Sequence, residues 1–324
     1  MKALVYTAPE TLELRDAPDP VAGSEDHLVR IDSVGICGSD MHAYLGHDDR
    51  RPAPLTLGHE AAGVIEGGPR DGERVTINPL VTPVDCPYVR AGRENLSPDR
   101  QIISMPPREG AFAQYVAIPE RNLVAVPDSV SLETAALAEP LSVSWHSVRL
   151  GVEALGRVGQ AHVIGGGAIG VAAALALLAQ GAEAVTLSEP NPVRRAALDL
   201  GPRISVRDSS SQGQTVDLVV DAVGIDATRA TASAVARPGG VIVHVGLGGG
   251  SGGLDIRRLT LQEITFIGTY TYTMQDFRDT CAAMFDGRLG PLDWVETRPL
   301  SEGAAAFADI RAGRVPAPKI ILKP

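Results

Sequence analysis

The stretch His162-Val-Ile-Gly-Gly-Gly-Ala-Ile-Gly-Val171 carries Gly165, Gly167 and Gly170 at the spacing G-x-G-x-x-G. A short apolar strand precedes these glycines, and the apolar run Val171–Gln180 after them predicts a helix. In a βαβ unit that binds a dinucleotide, such glycines permit a tight turn, close approach of the backbone to a pyrophosphate, and close packing of helix on strand. The alternative is a glycine turn with a structural purpose only.

A second strand of this unit ends at Ser188-Glu189, and Glu189 stands 22 residues after Gly167. A carboxylate at that distance accepts hydrogen bonds from the adenosine ribose hydroxyls and repels a 2′-phosphate, so the sequence favours NAD over NADP. Arg194 is the opposing indication, because its charge could neutralise such a phosphate. The start of the helix offers free N–H groups to the pyrophosphate, and the candidates there are Gly167, Ala168, Ile169 and Gly170.

Three further apolar runs continue this pattern along the chain: Leu218–Ala222, Val241–Val245 and Ile264–Tyr270. Runs without alternating polar residues are typical of strands that are buried on both faces of a parallel sheet. The sequence therefore predicts a doubly wound parallel sheet in this part of the chain. The polar stretch 208–214 is predicted to be an exposed loop.

The chain before about residue 135 has a different pattern, with short strands between turns that contain Gly or Pro. Val29 and Ile31 alternate with Arg30 and Asp32, which is typical of a partly exposed antiparallel strand. A separate β-rich domain is therefore predicted, and a length of 324 residues is sufficient for two domains.

The composition excludes several classes of function. With 29 Lys and Arg against 39 Asp and Glu, the net charge is −10, which disfavours nucleic acid and anionic membranes as partners. The apolar stretch Ile164–Ala179 is interrupted by glycines and predicts no membrane helix. The three cysteines, Cys37, Cys86 and Cys281, make no disulfide framework, which favours a cytoplasmic protein.

A second candidate site lies in the β-rich part, where His59-Glu60 follows 22 residues after Cys37. Thiolate, imidazole and carboxylate are ligands that zinc prefers, and Glu139 could supply a fourth donor. The residues alone leave an alternative open, in which Cys37 is an inert core cysteine and the His-Glu pair lies at the surface.

The order of these motifs resembles the zinc-dependent medium-chain dehydrogenase/reductase superfamily: Cys37-Gly-Ser-Asp-Met-His42, then Gly58-His-Glu60, then Glu139-Pro-Leu141, then the glycine turn. The polyol (sorbitol-type) branch is most similar, because Glu139 stands where other alcohol dehydrogenases have a cysteine ligand. The resemblance implies an α/β chain with a partly open, GroES-like β-barrel that carries the catalytic zinc and an inserted Rossmann domain. The implied boundaries are 1–138 and 273–324 for the barrel and 139–272 for the Rossmann domain.

The resemblance also implies roles for individual residues. The residues that correspond to zinc ligands, with carboxylates that bind directly or through water and exchange with substrate, are Cys37, His59, Glu60 and Glu139. Ser39 resembles the hydroxyl that takes the proton of the reacting alcohol, and His42 resembles the outer histidine of that proton relay. Asp40 resembles the carboxylate that orients His59.

In the Rossmann domain, the resemblance places the nicotinamide beside the ends of the later strands. The residues implied there are Val223, Gly224, Val245, Gly246, Thr269 and Tyr270. Polyol dehydrogenases often have an arginine before the last tyrosine of the segment Gly268–Tyr272. Here Thr271 takes that position, which leaves the substrate class open.

Many relatives hold a structural zinc with four cysteines in one lobe. Here Cys86 is the one that remains, and Pro83, Val89 and Ser97 occupy the other positions. One thiolate cannot close a tetrahedral site, so the sequence predicts one catalytic zinc per chain and no structural zinc.

Together these features predict an enzyme that oxidises a secondary alcohol of a polyol or sugar derivative to a ketone, with catalytic zinc and NAD+. Two alternatives stay open: a zinc-independent NADPH reductase of the same superfamily, and a non-catalytic NAD(H)-binding scaffold. The resemblance further implies a homodimer or homotetramer, in which the strand Ile264–Tyr270 extends one sheet across two subunits.

Overall fold

The computed structural model describes residues 1–208 and 215–324, so residues 209–214 of the predicted polar loop lie outside the described residues. The described chain forms two compact units. The first comprises Met1–Glu139, Thr273–Phe285 and Leu292–Pro324, and the second comprises Pro140–Tyr272 and Asp286–Pro291. Within these residues, no helix has the length and apolar character needed to cross a membrane.

The strands of the first unit are β1 (Lys2–Ala8), β2 (Thr11–Asp16), β3 (Asp26–Gly35), β4 (Leu55–Thr56), β5 (Glu60–Glu66), β6 (Arg74–Ile77), β7 (Leu80–Val81), β8 (Gln101–Ile102), β9 (Tyr115–Pro119), β10 (Leu123–Ala125), β17 (Val295–Pro299) and β18 (Lys319–Lys323). The strands of the second unit are β11 (Gln160–Ile164), β12 (Ala184–Ser188), β13 (Ile204–Arg207), β14 (Val216–Asp221), β15 (Ala236–His244) and β16 (Thr265–Gly268).

The α-helices are α1 (Gly38–Tyr44), α2 (Pro87–Arg90), α3 (Leu132–Ala135), α4 (Ala138–Leu155), α5 (Ala168–Ala179), α6 (Pro192–Ala197), α7 (Asp226–Val235), α8 (Ile256–Leu261), α9 (Met274–Phe285) and α10 (Gly303–Arg311). Short 3-10 helices occur at Glu94–Leu96, Glu120–Asn122 and Leu300–Glu302.

The main sheet of the first unit has the strand order β10-β6-β5-β3-β18-β17, with β9 also paired to β3. The last strand, β18, pairs with β3, because Leu322 lies opposite Val34. Both ends of the chain therefore build one β-rich domain, as the predicted fold class requires. In β3, Val29 and Ile31 are buried while Arg30 is exposed, which confirms the predicted alternation.

The core of this unit is mainly aliphatic, with a small aromatic group made by Tyr44, Phe112 and Phe307. The ring of Phe307, on α10, lies 5.2 Å from Tyr44 and 5.9 Å from Phe112 between centroids. Contacts of this geometry pack α10 against the end of α1 and against the segment that precedes β9.

The second unit has a six-stranded parallel sheet with the order β13-β12-β11-β14-β15-β16. Its central strands are covered on both faces, since consecutive residues of β14 and β15 such as Val219, Val220, Ile242 and Val243 are fully buried. The doubly wound parallel sheet is thus confirmed. One strand is shorter than predicted: the run Ile264–Tyr270 is a strand over β16 only.

Candidate metal centre and cofactor site

The metal motif is assembled by two neighbouring antiparallel strands. Gly35 at the end of β3 pairs with Glu60 at the start of β5, so Cys37 and His59 are brought to the same end of the sheet. A side chain at position 35 would place its Cβ 2.1 Å from Glu60 Oε2, which explains the glycine there. Cys37 also precedes α1, and its N–H donates to Asp40 Oδ2 at 3.0 Å.

The sulfur of Cys37, a ring nitrogen of His59 and a carboxylate oxygen of Glu60 all lie within 4.8 Å of one another. This set of thiolate, imidazole and carboxylate is the donor chemistry that zinc prefers. In the part of the chain that the structure describes, Glu139 is not a member of this cluster, although its side chain is buried at the start of α4.

The two ring nitrogens of His59 face different groups. Nε2 lies 3.4 Å from Ser39 Oγ, whereas Nδ1 lies 3.4 Å from Asp40 Oδ1 and 3.3 Å from Ser104 Oγ. Burial alone would lower the pKa of His59. The charge and hydrogen bond of Asp40, together with Cys37, instead raise this pKa well above its usual value.

The hydroxyl and the histidine of the predicted proton relay lie three residues apart on α1. Ser39 is partly buried beside His59, and His42 is exposed to solvent. Residues three apart on a helix lie on the same face. Ser39, beside His59, and the exposed His42 are therefore neighbours on one face of α1.

The predicted cofactor residues of the second unit all follow the carboxyl ends of parallel strands. They come after β11, β12, β14, β15 and β16: Gly165, Gly167, Ala168, Ile169, Gly170, Glu189, Arg194, Val223, Gly224, Val245, Gly246, Thr269 and Tyr270. The strand order reverses between β11 and β14. In open α/β sheets this switch point is where ligands bind.

The glycine turn has the geometry that its spacing predicts. Gly165 has φ +102°, in the left-handed region that favours glycine. A Cβ on Gly170 would lie 1.7 Å from the Gly165 carbonyl oxygen, so α5 approaches the turn too closely for a side chain. A Cβ on Gly167, at the start of α5, would point into open space within the described chain, where a ligand can lie.

Glu189 is buried next to this turn. Its Oε2 accepts the N–H of Gly166 at 3.0 Å and a bond from Arg194 Nη1 at 3.2 Å, while Oε1 accepts the N–H of Asn191 at 2.7 Å. Arg194 therefore contacts the carboxylate that the sequence assigns to the ribose. Its buried Nε has no hydrogen-bond partner within the described residues.

The turns after β14 and β15 are packed directly on each other. A Cβ on Gly224 would lie 2.0 Å from the Gly246 carbonyl oxygen. The N–H groups of Val223 and Gly224 donate to Asp221 Oδ1, and those of Val245 and Gly246 donate to the Asp221 carbonyl oxygen. After β16, the N–H of Thr269 donates to the carbonyl oxygen of His244 at 3.1 Å.

Comparisons with known proteins agree with this geometry. Residues 23–128 match the family model described as an alcohol dehydrogenase GroES-like domain, and residues 168–286 match the zinc-binding dehydrogenase model. The L-galactonate-5-dehydrogenase of Escherichia coli (strain K12) is 30% identical over 306 residues, which cover 89% of this chain and 88% of that protein. The chain belongs to the zinc-binding dehydrogenase family. The resemblance to the polyol branch of the zinc-dependent medium-chain dehydrogenases is thereby confirmed.

Two other comparisons place the chain within this family. The sorbitol dehydrogenase of Bacillus subtilis (strain 168) is 33% identical over 268 residues, covering 76% of this chain and 75% of that protein. A zinc-binding dehydrogenase candidate from Sinorhizobium meliloti 1021, solved with NADP bound, is 25% identical with a TM-score of 0.87, covering 100% of this chain and 99% of that one. This chain is accordingly a zinc-type alcohol or polyol dehydrogenase with a nicotinamide cofactor.

The sequence analysis did not identify Lys319 as a site residue. In the structure, Lys319 contacts Glu60, one of the three candidate metal ligands. Lys319 Nζ donates to both carboxylate oxygens of Glu60 at 2.7 Å and to the carbonyl oxygen of Ile36 at 2.9 Å. Burial would lower the pKa of Lys319, but the charges of Glu60, Cys37 and Glu139 raise it. The sequence carries no signal for this contact, because a lysine at the start of a strand can equally face water.

The lobe around Cys86, for which the sequence predicts no structural zinc, has contacts of its own within the described chain. Cys86 Sγ lies 3.7 Å from the hydroxyl of the fully buried Ser97. Glu94, in the same lobe, accepts the backbone N–H of Met274 at 2.6 Å and so connects the lobe to the first turn of α9. One zinc per chain stays a prediction.

Proposed function

We propose that the protein oxidises a secondary alcohol of a polyol or sugar derivative to a ketone, with NAD+ as the hydride acceptor and one catalytic zinc. The donor atoms of Cys37, His59 and Glu60, all within 4.8 Å of one another, carry this proposal. Glu139 is proposed as the fourth ligand, direct or through water. The curated relatives named for L-galactonate and sorbitol support the substrate class.

Zinc bound by these residues would supply Lewis-acid chemistry, which lowers the pKa of an alcohol oxygen towards neutrality. The residues of α1 would then transfer the proton that the alcohol releases. Ser39 Oγ, 3.4 Å from His59 Nε2, accepts the proton of the alcohol, and the exposed His42 delivers it to water. The net reaction converts the alcohol and NAD+ to a ketone, NADH and a proton.

Besides the proposed zinc, Glu60 has a second partner, the ammonium of Lys319. Such a partner suits a carboxylate that exchanges with substrate at the metal. Both of its oxygens accept bonds from the Lys319 ammonium. A carboxylate that moves away from the metal would therefore keep a buried counter-charge. We therefore propose that Glu60 exchanges with substrate at the metal while it keeps its contact with Lys319.

For the cofactor, we propose NAD rather than NADP. Glu189 is buried at the end of β12, and its negative charge opposes a 2′-phosphate at the position where the ribose would bind. Arg194 reduces this opposition because it pairs with the same carboxylate at 3.2 Å. Preference for NAD then depends on Glu189 outweighing its partner.

The proposal extends to assembly and compartment. The edge strand β16, with Phe266 38% exposed, is proposed to pair with a second copy of the chain in a homodimer or homotetramer. The cysteines Cys37, Cys86 and Cys281 are free in the described chain, which supports a reducing cytoplasmic compartment.

The decisive experiment measures NADH formation across polyols, sugar acids, amino-cyclitols and simple alcohols, with and without a strong chelator. We expect one polyhydroxylated group to react, the chelator to stop the reaction, and Cys37→Ala to lose both zinc and turnover. Cys86→Ala is the matched control, since both cysteines are partly buried. Full activity of the zinc-free protein, or of Cys37→Ala, would contradict the proposal. A wild-type protein that binds NADH but contains no zinc and shows no turnover would support the alternative of a non-catalytic NAD(H)-binding scaffold.

A further inference from the structure

The loop that follows α1 contains a buried ion pair whose role the reaction described above does not use. Arg51 is 3% exposed, and its Nη1 donates to Asp48 Oδ2 at 2.5 Å. Its Nε donates to the backbone carbonyl oxygen of Ser104 at 3.0 Å. A guanidinium suits this position because its planar group can donate to two acceptors in fixed directions at the same time.

Ser104, the acceptor of that bond, has an unusual backbone. Its φ is +71°, a left-handed conformation that residues other than glycine rarely adopt, and its side chain is fully buried. Such a conformation persists where the surroundings hold it, and it tends to occur at functional sites. In this conformation Ser104 Oγ lies 3.3 Å from Nδ1 of His59.

We propose that Ser104 is a positioning residue for His59, and that Arg51, held by Asp48, fixes Ser104 in place. The inference rests on the proposed metal centre, in which His59 is a ligand. A histidine that binds a metal through Nε2 carries its proton on Nδ1. That proton then has two acceptors on different segments of the chain, Asp40 Oδ1 at 3.4 Å and Ser104 Oγ at 3.3 Å.

Two acceptors of different charge determine how the imidazole acts as a ligand. Asp40 is a fully buried carboxylate, and Ser104 is a neutral hydroxyl. Sharing the Nδ1 proton between them sets the orientation of the ring and its basicity. Removing the hydroxyl would leave the ring with one lateral contact, so the metal should be held less tightly.

The connection to Arg51 is made through the backbone of Ser104, which has a consequence for substitutions. A lysine at position 51 keeps the positive charge beside Asp48, but it lacks the forked donors that reach the Ser104 carbonyl. We therefore expect Arg51→Lys to weaken metal retention in the same direction as loss of the hydroxyl.

The first test compares zinc-loaded wild type with Ser104→Gly. Glycine adopts a positive φ without strain, so this variant removes the hydroxyl while the backbone keeps its conformation. Zinc transfer to a chromogenic chelator should become about tenfold faster, which is the lower end of typical effects of outer-sphere partners. The absorption bands of the cobalt-substituted variant should shift. Thermal unfolding of the metal-free proteins reports any merely structural effect, and we expect it to be unchanged.

The second test uses Arg51→Lys with Arg50→Lys as its matched control. Arg50 also bonds Asp48, but its side chain is 59% exposed. We expect faster zinc release for Arg51→Lys and wild-type release for Arg50→Lys. In the Ser104→Gly background, Arg51→Lys should have no further effect, because Arg51 acts through Ser104.

The outcomes separate this inference from the proposed function. Wild type that retains no zinc would contradict the proposed function itself. If the wild type retains zinc, and Ser104→Gly has the same zinc release rate and the same cobalt spectrum as the wild type, the role of Ser104 would be overturned. The proposed function would not be affected by that result. Fully additive effects in the double variant would overturn the route from Arg51 through Ser104.

Discussion

The ammonium of Lys319 lies 2.7 Å from both carboxylate oxygens of Glu60, although the two residues are 259 positions apart in the chain. Lys319 begins β18, and Glu60 begins β5 beside His59. Both side chains are almost completely buried, at 3% and 1% exposure. The C-terminal strand therefore supplies a counter-charge beside the proposed zinc ligands Cys37, His59 and Glu60.

Replacing Lys319 by Met should destabilise the zinc-free protein, because it leaves the buried carboxylate of Glu60 without a partner. Loss of one member of a buried pair typically lowers the free energy of unfolding by about 3–5 kcal/mol. Urea unfolding of the zinc-free chain measures this change. The double variant Lys319→Met/Glu60→Gln removes the unpaired charge and should recover most of the loss. Equal stability of wild type and Lys319→Met would show that water compensates the carboxylate.

The glycine turn offers a matched pair of substitutions. Gly170→Ala puts a Cβ 1.7 Å from the Gly165 carbonyl oxygen, so it should distort the turn and lower the thermal midpoint. Gly167→Ala meets open space within the described chain, so it should leave the midpoint of the cofactor-free protein unchanged. Its NADH affinity should nevertheless fall, since the methyl group occupies space next to the helix start. Fluorescence titration with NADH checks this, and unchanged affinity would place the pyrophosphate elsewhere.

Substitutions of Glu189 and Arg194 should change cofactor preference in opposite directions. Glu189→Ala removes the repulsion of a 2′-phosphate and leaves Arg194 available to it, so the ratio of kcat/KM for NAD over NADP should fall about tenfold or more, which corresponds to about 1.4 kcal/mol. Arg194→Ala frees the carboxylate from its 3.2 Å ion pair and should increase that ratio. Initial rates with both cofactors provide the measurement. A ratio that is insensitive to Glu189 would refute its assignment.

His162 should make the protein less stable as the pH falls below 6.5. Burial, together with the charge of Arg207, lowers its pKa to about 4, and its Nε2 lies 3.2 Å from Ser188 Oγ. Between pH 6.5 and 4 the unfolded chain binds a proton at this histidine that the folded chain does not, so stability rises with pH in this window. The difference of about 2.5 pKa units corresponds to about 3 kcal/mol.

His162→Gln, which does not titrate, is the comparison for this prediction. Urea unfolding of both proteins from pH 4 to pH 7 should give a shallower pH dependence for the variant. Since the other titrating groups are common to both proteins, the difference between the two curves isolates His162. Parallel curves would contradict a lowered pKa.

The edge strand β16 provides a test of assembly. Phe266→Lys places a charge on an exposed edge strand, which natural proteins use to prevent pairing between sheets. The assembly measured by sedimentation should decrease in mass. Val21→Lys, at an apolar position that is 91% exposed in the first unit, is the control and should sediment like wild type. If Phe266→Lys also sediments like wild type, β16 is not the interface.

Parts of the site that are close in sequence could be predicted from the residues. Turn chemistry and hydrophobic period are local properties, so the strand, the glycine turn and the helix around Gly165 followed from a ten-residue stretch. The roles of Ser39 and His42 were implied by the resemblance to the family rather than by their spacing, and the structure places both residues on α1. The edge strand β2 was not predicted, because Leu12 is its one buried residue and the positions after it, including Leu14, are exposed.

The sequence by itself determined the two domain types, the glycine turn with its acidic partner, and the thiolate, imidazole and carboxylate of the metal motif. The tertiary structure decided which residues from distant parts of the chain contact the residues of the metal motif. Lys319 reaches Glu60, and Ser104 reaches His59 across 45 positions. The physical reason is that such contacts follow from strand pairing, here of β18 with β3, and from loop packing. Neither leaves a periodic pattern in the residues themselves, and a lysine at the start of a strand is indistinguishable in sequence from one that faces water.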